Sequence, residues 1–317
     1  MTRIAVLDPT VLIGDHLRTA LEQRATWASE IRMFGTEPLE EMPLTEFAGE
    51  PVLVRPLAAG DLSGTDLILA CGGGSPVLAE LLPAAPGATT ICCGEAGTLE
   101  ARPVVAGVND ESAQRGEILL SPPAGVVALA HLLAALRPLE PRRAVATLLQ
   151  PVSDLGEPGI HALMEQTQAL LRFSDPEPGG LLEGQRAFNL LAASGDDDPA
   201  GQLDAILGGD PAIAVAALHA GTFHGTGLHL WFDFAEEPGA ARVVDALAAS
   251  VYLEAAGDTG GLGPVAAAGR PEVLHGPPRR ASASGSGYWL WAVVDNLGRG
   301  GALNALEIAE SLFGNDL

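Results

Sequence analysis

The chain has 317 residues, 47% of them hydrophobic, with 40 Asp and Glu against 17 basic residues, all arginine, for a formal net charge of −23. That balance argues against nucleic acid as a partner, and the odd set Cys71, Cys92 and Cys93 argues against a disulfide framework or a Cys-x-x-Cys metal site. The length predicts two domains, no apolar run reaches membrane-spanning length, and MTRIAVLDP enters a strand with no secretion signal, so a cytoplasmic protein with no membrane partner is expected.

Residues 3–8, RIAVLD, predict a buried strand, and Ile13, Leu17 and Leu21 follow at helical spacing, so the chain opens as strand, turn and helix. Further buried strands are expected at 30–34, 51–55, 66–70 and 88–92, the last two separated by GGGSPVLAELLPAA, a glycine turn and a helix. The alternation predicts a parallel, doubly wound sheet of the dinucleotide-binding type. At 118–137, ILLSPPAGVVALAHLLAALR reads as a short strand, a Pro-Pro turn and an amphipathic helix from Ala124, with Leu129, Leu132, Leu133 and Leu136 as its core stripe. A helix start of this kind lowers the pKa of a cysteine placed on it and stabilises developing negative charge, yet Ala124 carries no nucleophile.

After 137 the pattern changes. A strand at 143–152 and a helix at 159–173 precede acidic, Gly/Pro-rich loops at 175–180 and 195–199. Strands at 212–220 and 228–234 are joined by GTFHGTG, and the second places Leu228, Leu230, Phe232 and Phe234 on one side and His229, Trp231 and Asp233 on the other. A helix at 240–250, strands around Glu272 and at 288–295, and a helix at 301–313 complete the chain; the last is expected to return to the first domain. His219, His224 and His229 recur at intervals of five, a spacing that does not put three rings on one strand face, so no metal site is expected.

Four stretches resemble the aspartate-semialdehyde dehydrogenases, in that family's order: LLQPVSDLGEPGI (148–160), the glycine-flanked His224 after a strand, PVAAAGRPEVLHGPPRR (264–280) and WLWAVVDNLGRGGALNALEIAESL (289–312). The resemblance implies an α/β fold. A Rossmann-like NAD(P)-binding domain would occupy 1–124 plus the C-terminal helix 300–317, and an α+β substrate and dimerisation domain with a large mixed sheet would occupy 125–299. It also implies a homodimer, NADP as cofactor, and an attack of cysteine thiolate on an aldehyde assisted by a histidine and a glutamine.

Carried over by position, His224 and Gln150 are retained, but the family's Asn-Pro-x-Cys becomes Ser121-Pro122-Pro123-Ala124. Loss of a covalent nucleophile lowers rate by on the order of 10⁴ to 10⁶. Two substrate arginines align with Thr98 and Thr222, and the family's substrate lysine has no counterpart in a chain without lysine. The phosphate turn reads Asp8-Pro9-Thr10-Val11-Leu12-Ile13-Gly14, where Asp8 would bring a carboxylate toward phosphates and Val11 a branched side chain toward the ligand. The ribose-phosphate positions align with Pro38 and Leu39. The cofactor-binding residues that the resemblance leaves are Thr10, Gly14, Gly72, Gly73 and Asn296, although the glycines at 72–74 serve equally to turn a strand end into a helix.

Three readings of function follow. The first is a member of this family inactive as an oxidoreductase. The second is a working NADP-dependent aspartate-semialdehyde dehydrogenase of amino-acid biosynthesis with a displaced nucleophile, for which Cys92 and Cys93 are the residues to weigh against their reading as buried small apolar side chains. The third is a non-catalytic binder in which Gln150 and His224 recognise a small neutral ligand.

Overall fold

Continuous runs of Ile, Leu, Val and Ala followed by short glycine turns have to bury both strand faces, and the first third of the chain does so in a parallel sheet. The structure is a computed structural model describing residues 2–36, 43–58, 60–176, 180–193, 198–257, 261–282 and 286–314. The chain divides into two compact units, Met1–Pro123 with Gly300–Leu317, and Ala124–Arg299.

The first unit runs β1 (Thr2–Leu7), α1 (Leu12–Arg24), β2 (Ala28–Gly35), β3 (Leu44–Phe47), β4 (Glu50–Leu53), β5 (Arg55–Pro56), β6 (Leu67–Ala70), α2 (Pro76–Leu81), β7 (Thr89–Cys93), β8 (Arg102–Pro103) and β9 (Ile118–Ser121). Seven of these strands form one sheet in the order β5-β2-β1-β6-β7-β9-β8, and every pairing in it is parallel. On one face Ile4, Val6 and Leu69 pack on Leu17 and Leu21 of α1 and on Leu306 and Phe313 of the C-terminal helix. On the other, Ala5, Leu7 and Ile68 pack with Phe34, Leu62 and Leu78. From β1 the chain winds outward through β2 to β5, then crosses back to β6. The topological switch point, where doubly wound sheets bind their ligands, therefore lies at the carboxyl ends of β1 and β6.

Of the buried strand expected at 51–55, only Arg55 enters this sheet, in the short edge strand β5. Glu50–Leu53 instead pairs antiparallel with Leu44–Phe47 in a separate hairpin, and Leu53 is half exposed. The reason is Pro51 together with Pro56: a proline has no N–H to give an interior ladder and is confined to edges.

The second unit runs α3 (Ala124–Leu136), β10 (Pro141–Gln150), α4 (Gly156–Leu171), β11 (Leu190–Ala192), α5 (Pro199–Leu207), β12 (Ala212–Ala220), β13 (Thr226–Phe234), α6 (Ala240–Ala248), β14 (Leu253–Ala255), α7 (Pro264–Ala267), β15 (Val273–His275), β16 (Arg279–Arg280) and β17 (Tyr288–Val294). After a π-helical turn at Gly298–Leu303 comes α8 (Asn304–Phe313), which belongs to the first unit. The second sheet is mixed, in the order β11-β12-β10-β13-β17-β15-β14 with β16 beside β17. The strands on either side of GTFHGTG do not pair with each other. β10 lies between them, parallel to β12 and antiparallel to β13, so residues 221–225 cross over its end.

The expected alternation in β13 is present, with Leu228, Leu230, Phe232 and Phe234 buried. The opposite sheet face carries Val145, His229 and Trp289, all exposed. α3 is not amphipathic as expected. Every residue from Ala124 to Leu133 is buried, because the helix is enclosed by the sheet, α5 and α6, and that enclosure includes His131. Among the described residues no helix is long and apolar enough to cross a membrane.

Candidate functional site

In the first unit, the chain leaves β1 into Asp8, whose φ of 55° is the left-handed conformation that glycine adopts most easily and that Asp tolerates better than most residues. The backbone N–H of Asp8 donates to Phe34 O at 2.7 Å. Its carboxylate turns toward the end of β2, where Oδ1 accepts from Thr36 N–H and Oδ2 from the Thr36 hydroxyl, both at 2.7 Å. A Cβ on Gly72, at the end of β6, would lie 2.6 Å from Asp8 Oδ2. The carboxylate thus sits among the ends of β1, β2 and β6.

The other residues assigned to cofactor binding divide by environment. Thr10 is exposed. Gly14 is held by packing: a Cβ there would stand 2.6 Å from Pro9 C and 2.7 Å from Asp8 O, so α1 rests directly on the turn that precedes it. Gly73 and Gly74 are pressed against the loop after β7, with a Cβ at Gly73 falling 2.6 Å from Glu95 Cγ and one at Gly74 falling 1.8 Å from Ala96 O. Gly14 and Gly74 meet backbone, whereas Gly72 and Gly73 face the side chains of Asp8 and Glu95, so close packing accounts for a glycine at each position. Pro38 and Leu39 lie outside the described residues. The turn does not fit a dinucleotide diphosphate as a glycine turn would, because it carries an anionic side chain beside the place where the diphosphate would lie.

All three cysteines are buried in the same unit. A hydrogen bond with Cys93, followed by burial, pushes the Cys71 thiol well above its ordinary value, and burial pushes Cys92 up to about 12. Neither is a thiolate at neutral pH.

The catalytic positions cluster in the second unit. Ala124 opens α3 and is 5% exposed. The next residue, Gly125, lies against β10, since a Cβ on it would be 2.8 Å from Leu148 Cδ1; the start of α3 therefore sits two residues from Gln150 along that strand. Gln150 ends β10, and the segment after it is stitched to the His224 loop, with Val152 N–H donating to Thr222 O at 3.0 Å and Ser153 N–H to Phe223 O at 3.1 Å. His224 is exposed.

Asn296, assigned to the cofactor, has its whole amide engaged inside this unit. Its Oδ1 accepts from Gly225 N–H at 2.8 Å, and its Nδ2 donates to Ser153 Oγ at 3.0 Å and Asp154 Oδ1 at 2.6 Å. It holds the Gln150 and His224 segments together. Beside it, Asp295 accepts from Leu297 and Gly298 N–H and from Gly269 N–H, fixing the turn that presents Asn296. Ser153, Asp154 and Asn296 form a network that spacing along the chain could not reveal.

Arg186 was also missed. It is buried, donates to His219 Nδ1, and through the register Gln150↔His219 lies one strand away from Gln150; burial lowers its pKa against the raising influence of Glu183 and Asp154. His229 stacks on Trp289 with ring centroids 4.4 Å apart. Among the described residues no group of three or more His, Cys, Asp or Glu converges in a way that could hold a metal ion.

A parallel doubly wound unit followed by a mixed-sheet unit, in which a helix start, a strand-end glutamine and a loop histidine lie toward one end of the sheet, defines a two-unit α/β architecture. No family model matches the chain. It is 30% identical over 336 residues to a USG-1 protein homolog of Azotobacter vinelandii, covering 98% of this chain and 97% of that protein, and 26% identical to an aspartate-semialdehyde dehydrogenase of Mycolicibacterium smegmatis over 98% and 99%. Among solved structures, a probable aspartate-semialdehyde dehydrogenase from Pseudomonas aeruginosa superposes with a TM-score of 0.89 at 29% identity, covering 100% of this chain and 99% of that one. The chain belongs to the aspartate-semialdehyde dehydrogenase family.

Proposed function

We propose that this protein keeps the fold and subunit association of its family while having lost the thioester chemistry, so that it does not oxidise aspartate semialdehyde. The observation that carries the reading is the start of α3, where Ala124 is packed in the core at the position that must present a nucleophile. A methyl group forms no thiohemiacetal, and there is no hydride to transfer without one. The reading of a displaced cysteine is opposed by the burial of Cys71, Cys92 and Cys93 and by the raised pKa of the first two. The substrate-anchoring side of the site is reduced as well, since Thr222 presents a hydroxyl where a carboxylate would need a bidentate guanidinium.

Gln150 and His224 stand as the surviving polar groups of the old site and are the residues by which a small neutral ligand would be recognised. Subunit association is supported by the second sheet, whose face opposite the α3 side leaves Val145 45% and Trp289 38% exposed, with Phe188 and Leu190 also exposed beside it. An apolar surface of this extent fits the self-complementary face of a homodimer.

The test is NADPH formation from aspartate semialdehyde, phosphate and NADP. No turnover above background is expected from the protein, and Ala124→Cys alone restores little, because the arginines and the phosphate turn are also missing. Turnover by the unaltered protein at a rate typical of the family, abolished on alkylation of a cysteine, would overturn the proposal.

A further inference from the structure

The β1–β6 crevice of the first unit lies where doubly wound sheets place a ligand's phosphates, against backbone N–H groups at a helix start. Three independent features of the chain meet there. Asp8 adopts φ 55°, the left-handed conformation that suits glycine best and Asp better than most side chains, and its carboxylate spans from β1 to β2 to meet both polar groups of Thr36. The parallel register Leu7↔Phe34 is what brings Thr36 within reach. On the other flank Gly72 leaves room for Asp8 Oδ2 and for nothing larger, a Cβ being excluded at 2.6 Å.

We propose that Asp8 is a built-in anion: its carboxylate, bonded to Thr36 at the end of β2, stands beside the phosphate cradle at the start of α1, ties β1 to β2, and closes the crevice to phosphate-bearing nucleotides. Closure is both steric and electrostatic. A diphosphate entering the turn meets a carboxylate whose acceptor atoms already use the donors of Thr36, and like charges brought together without a cation are strongly disfavoured. The neighbouring guanidinium of Arg18 does not offset this, because it is committed to Pro9 O, Glu46 O and Asp15. The first unit is on this account complete without a nucleotide. This inference rests on the geometry of the β1 turn and not on Ala124, so it stands or falls separately from the loss of catalysis.

The experiment is calorimetric titration of NADP and, separately, of inorganic pyrophosphate into the full-length protein and into Asp8→Gly, Asp8→Asn and the double variant Asp8→Gly with Val11→Gly. Glycine suits the left-handed position and removes the anion. Asparagine keeps the Thr36 hydrogen bonds and removes only the charge, so it guards against a folding defect in the glycine variants, and all are checked by thermal melting. The unaltered protein is expected to give no saturable heat at micromolar ligand. Asp8→Asn is expected to bind pyrophosphate measurably, and the double variant is expected to bind NADP at least about a hundredfold more tightly than the parent. Saturable micromolar binding of NADP or pyrophosphate by the parent overturns the proposal, and so does the absence of any gain in folded Asp8→Asn and in the double variant.

Discussion

The burial of His131 makes a pH dependence that can be isolated experimentally. The residue sits in the middle of α3, 2% exposed, with its ring stacked on Tyr252 at 4.2 Å and no hydrogen-bond partner for Nε2 among the described residues. Burial first, and then the positive charge of Arg299, whose guanidinium also lies over the Tyr252 ring, lower its pKa from 6.5 to about 3. In the unfolded chain the imidazole takes a proton near pH 6.5; in the folded one it does not do so until pH falls to about 3. Between those values the unfolded state binds more protons. The stabilisation is therefore fully present above pH 6.5, declines as pH falls below it, and ceases to change below about 3.

The slope in that window is about 1.4 kcal/mol per pH unit, so acidification from about pH 7 to about pH 5 removes roughly 2 kcal/mol through this one group. That is a sizeable share of the 5–15 kcal/mol typical of a folded domain. The perturbation is His131→Phe, which keeps a ring against Tyr252 and cannot titrate, with His131→Leu as a smaller second variant. Urea unfolding is followed by tryptophan fluorescence at both pH values; Trp231, Trp289 and Trp291 report on the second unit that contains His131. Carboxylates and His275, whose pKa burial also lowers, affect parent and variants alike, so the difference between them isolates His131. The parent is expected to lose about 2 kcal/mol more than either variant over this range. Equal losses in all three proteins would refute the reasoning, since they would mean that the imidazole is hydrated or paired in the folded state.

Three further outcomes are expected. Gly14→Ala destabilises the ligand-free protein by about 1–3 kcal/mol, because the added Cβ meets the Asp8–Pro9 backbone; thermal melting without nucleotide reads this, and a loss that arises only when NADP is present would contradict a packing role. The three thiols are inert to Ellman's reagent in the native protein and react together once denaturant is added; rapid modification of any one of them under native conditions would reopen the reading of a displaced nucleophile. Trp289→Glu, on the open face of the second sheet, is expected to convert the proposed dimer to a monomer by light scattering with the far-ultraviolet spectrum unchanged; a variant that is still dimeric would place association elsewhere, and a parent that is already monomeric would refute the dimer.

The parts of this fold legible in the sequence are those fixed by local chemistry. The strands at 2–7, 67–70 and 89–93 announce themselves by the apolar runs IAVL, LILA and ICC, buried on both faces, and Pro122-Pro123 marks a helix start because the first N–H groups there need no partner. What was not legible depends on which strands become neighbours. Periodicity within 212–220 and 226–234 shows that each is a strand, but nothing in either records that β10 separates them. Likewise the full enclosure of α3 comes from α5 and α6, so a helix with a clear leucine stripe turns out to be buried on every side, and its histidine with it.

The candidate site divides along the same line. That Ala124, the position the resemblance assigns to the nucleophile, carries none was readable, since identity alone decides whether a side chain can attack carbon. Asn296 was not readable as the clamp on Ser153, Asp154 and Gly225, because its partners are 71 to 143 residues away. Asp8 shows why loss of a motif is an incomplete description. In the sequence it is a glycine position spoiled by a carboxylate, a purely negative statement. In the fold, the parallel register that pairs Leu7 with Phe34 brings Thr36, just past the end of β2, within reach of Asp8, and the residue makes a contact with two hydrogen bonds. If the proposed closure of the crevice holds, the carboxylate fills and pairs a space that would otherwise be a buried, unpaired polar crevice, which is how such a fold would stay stable without a nucleotide.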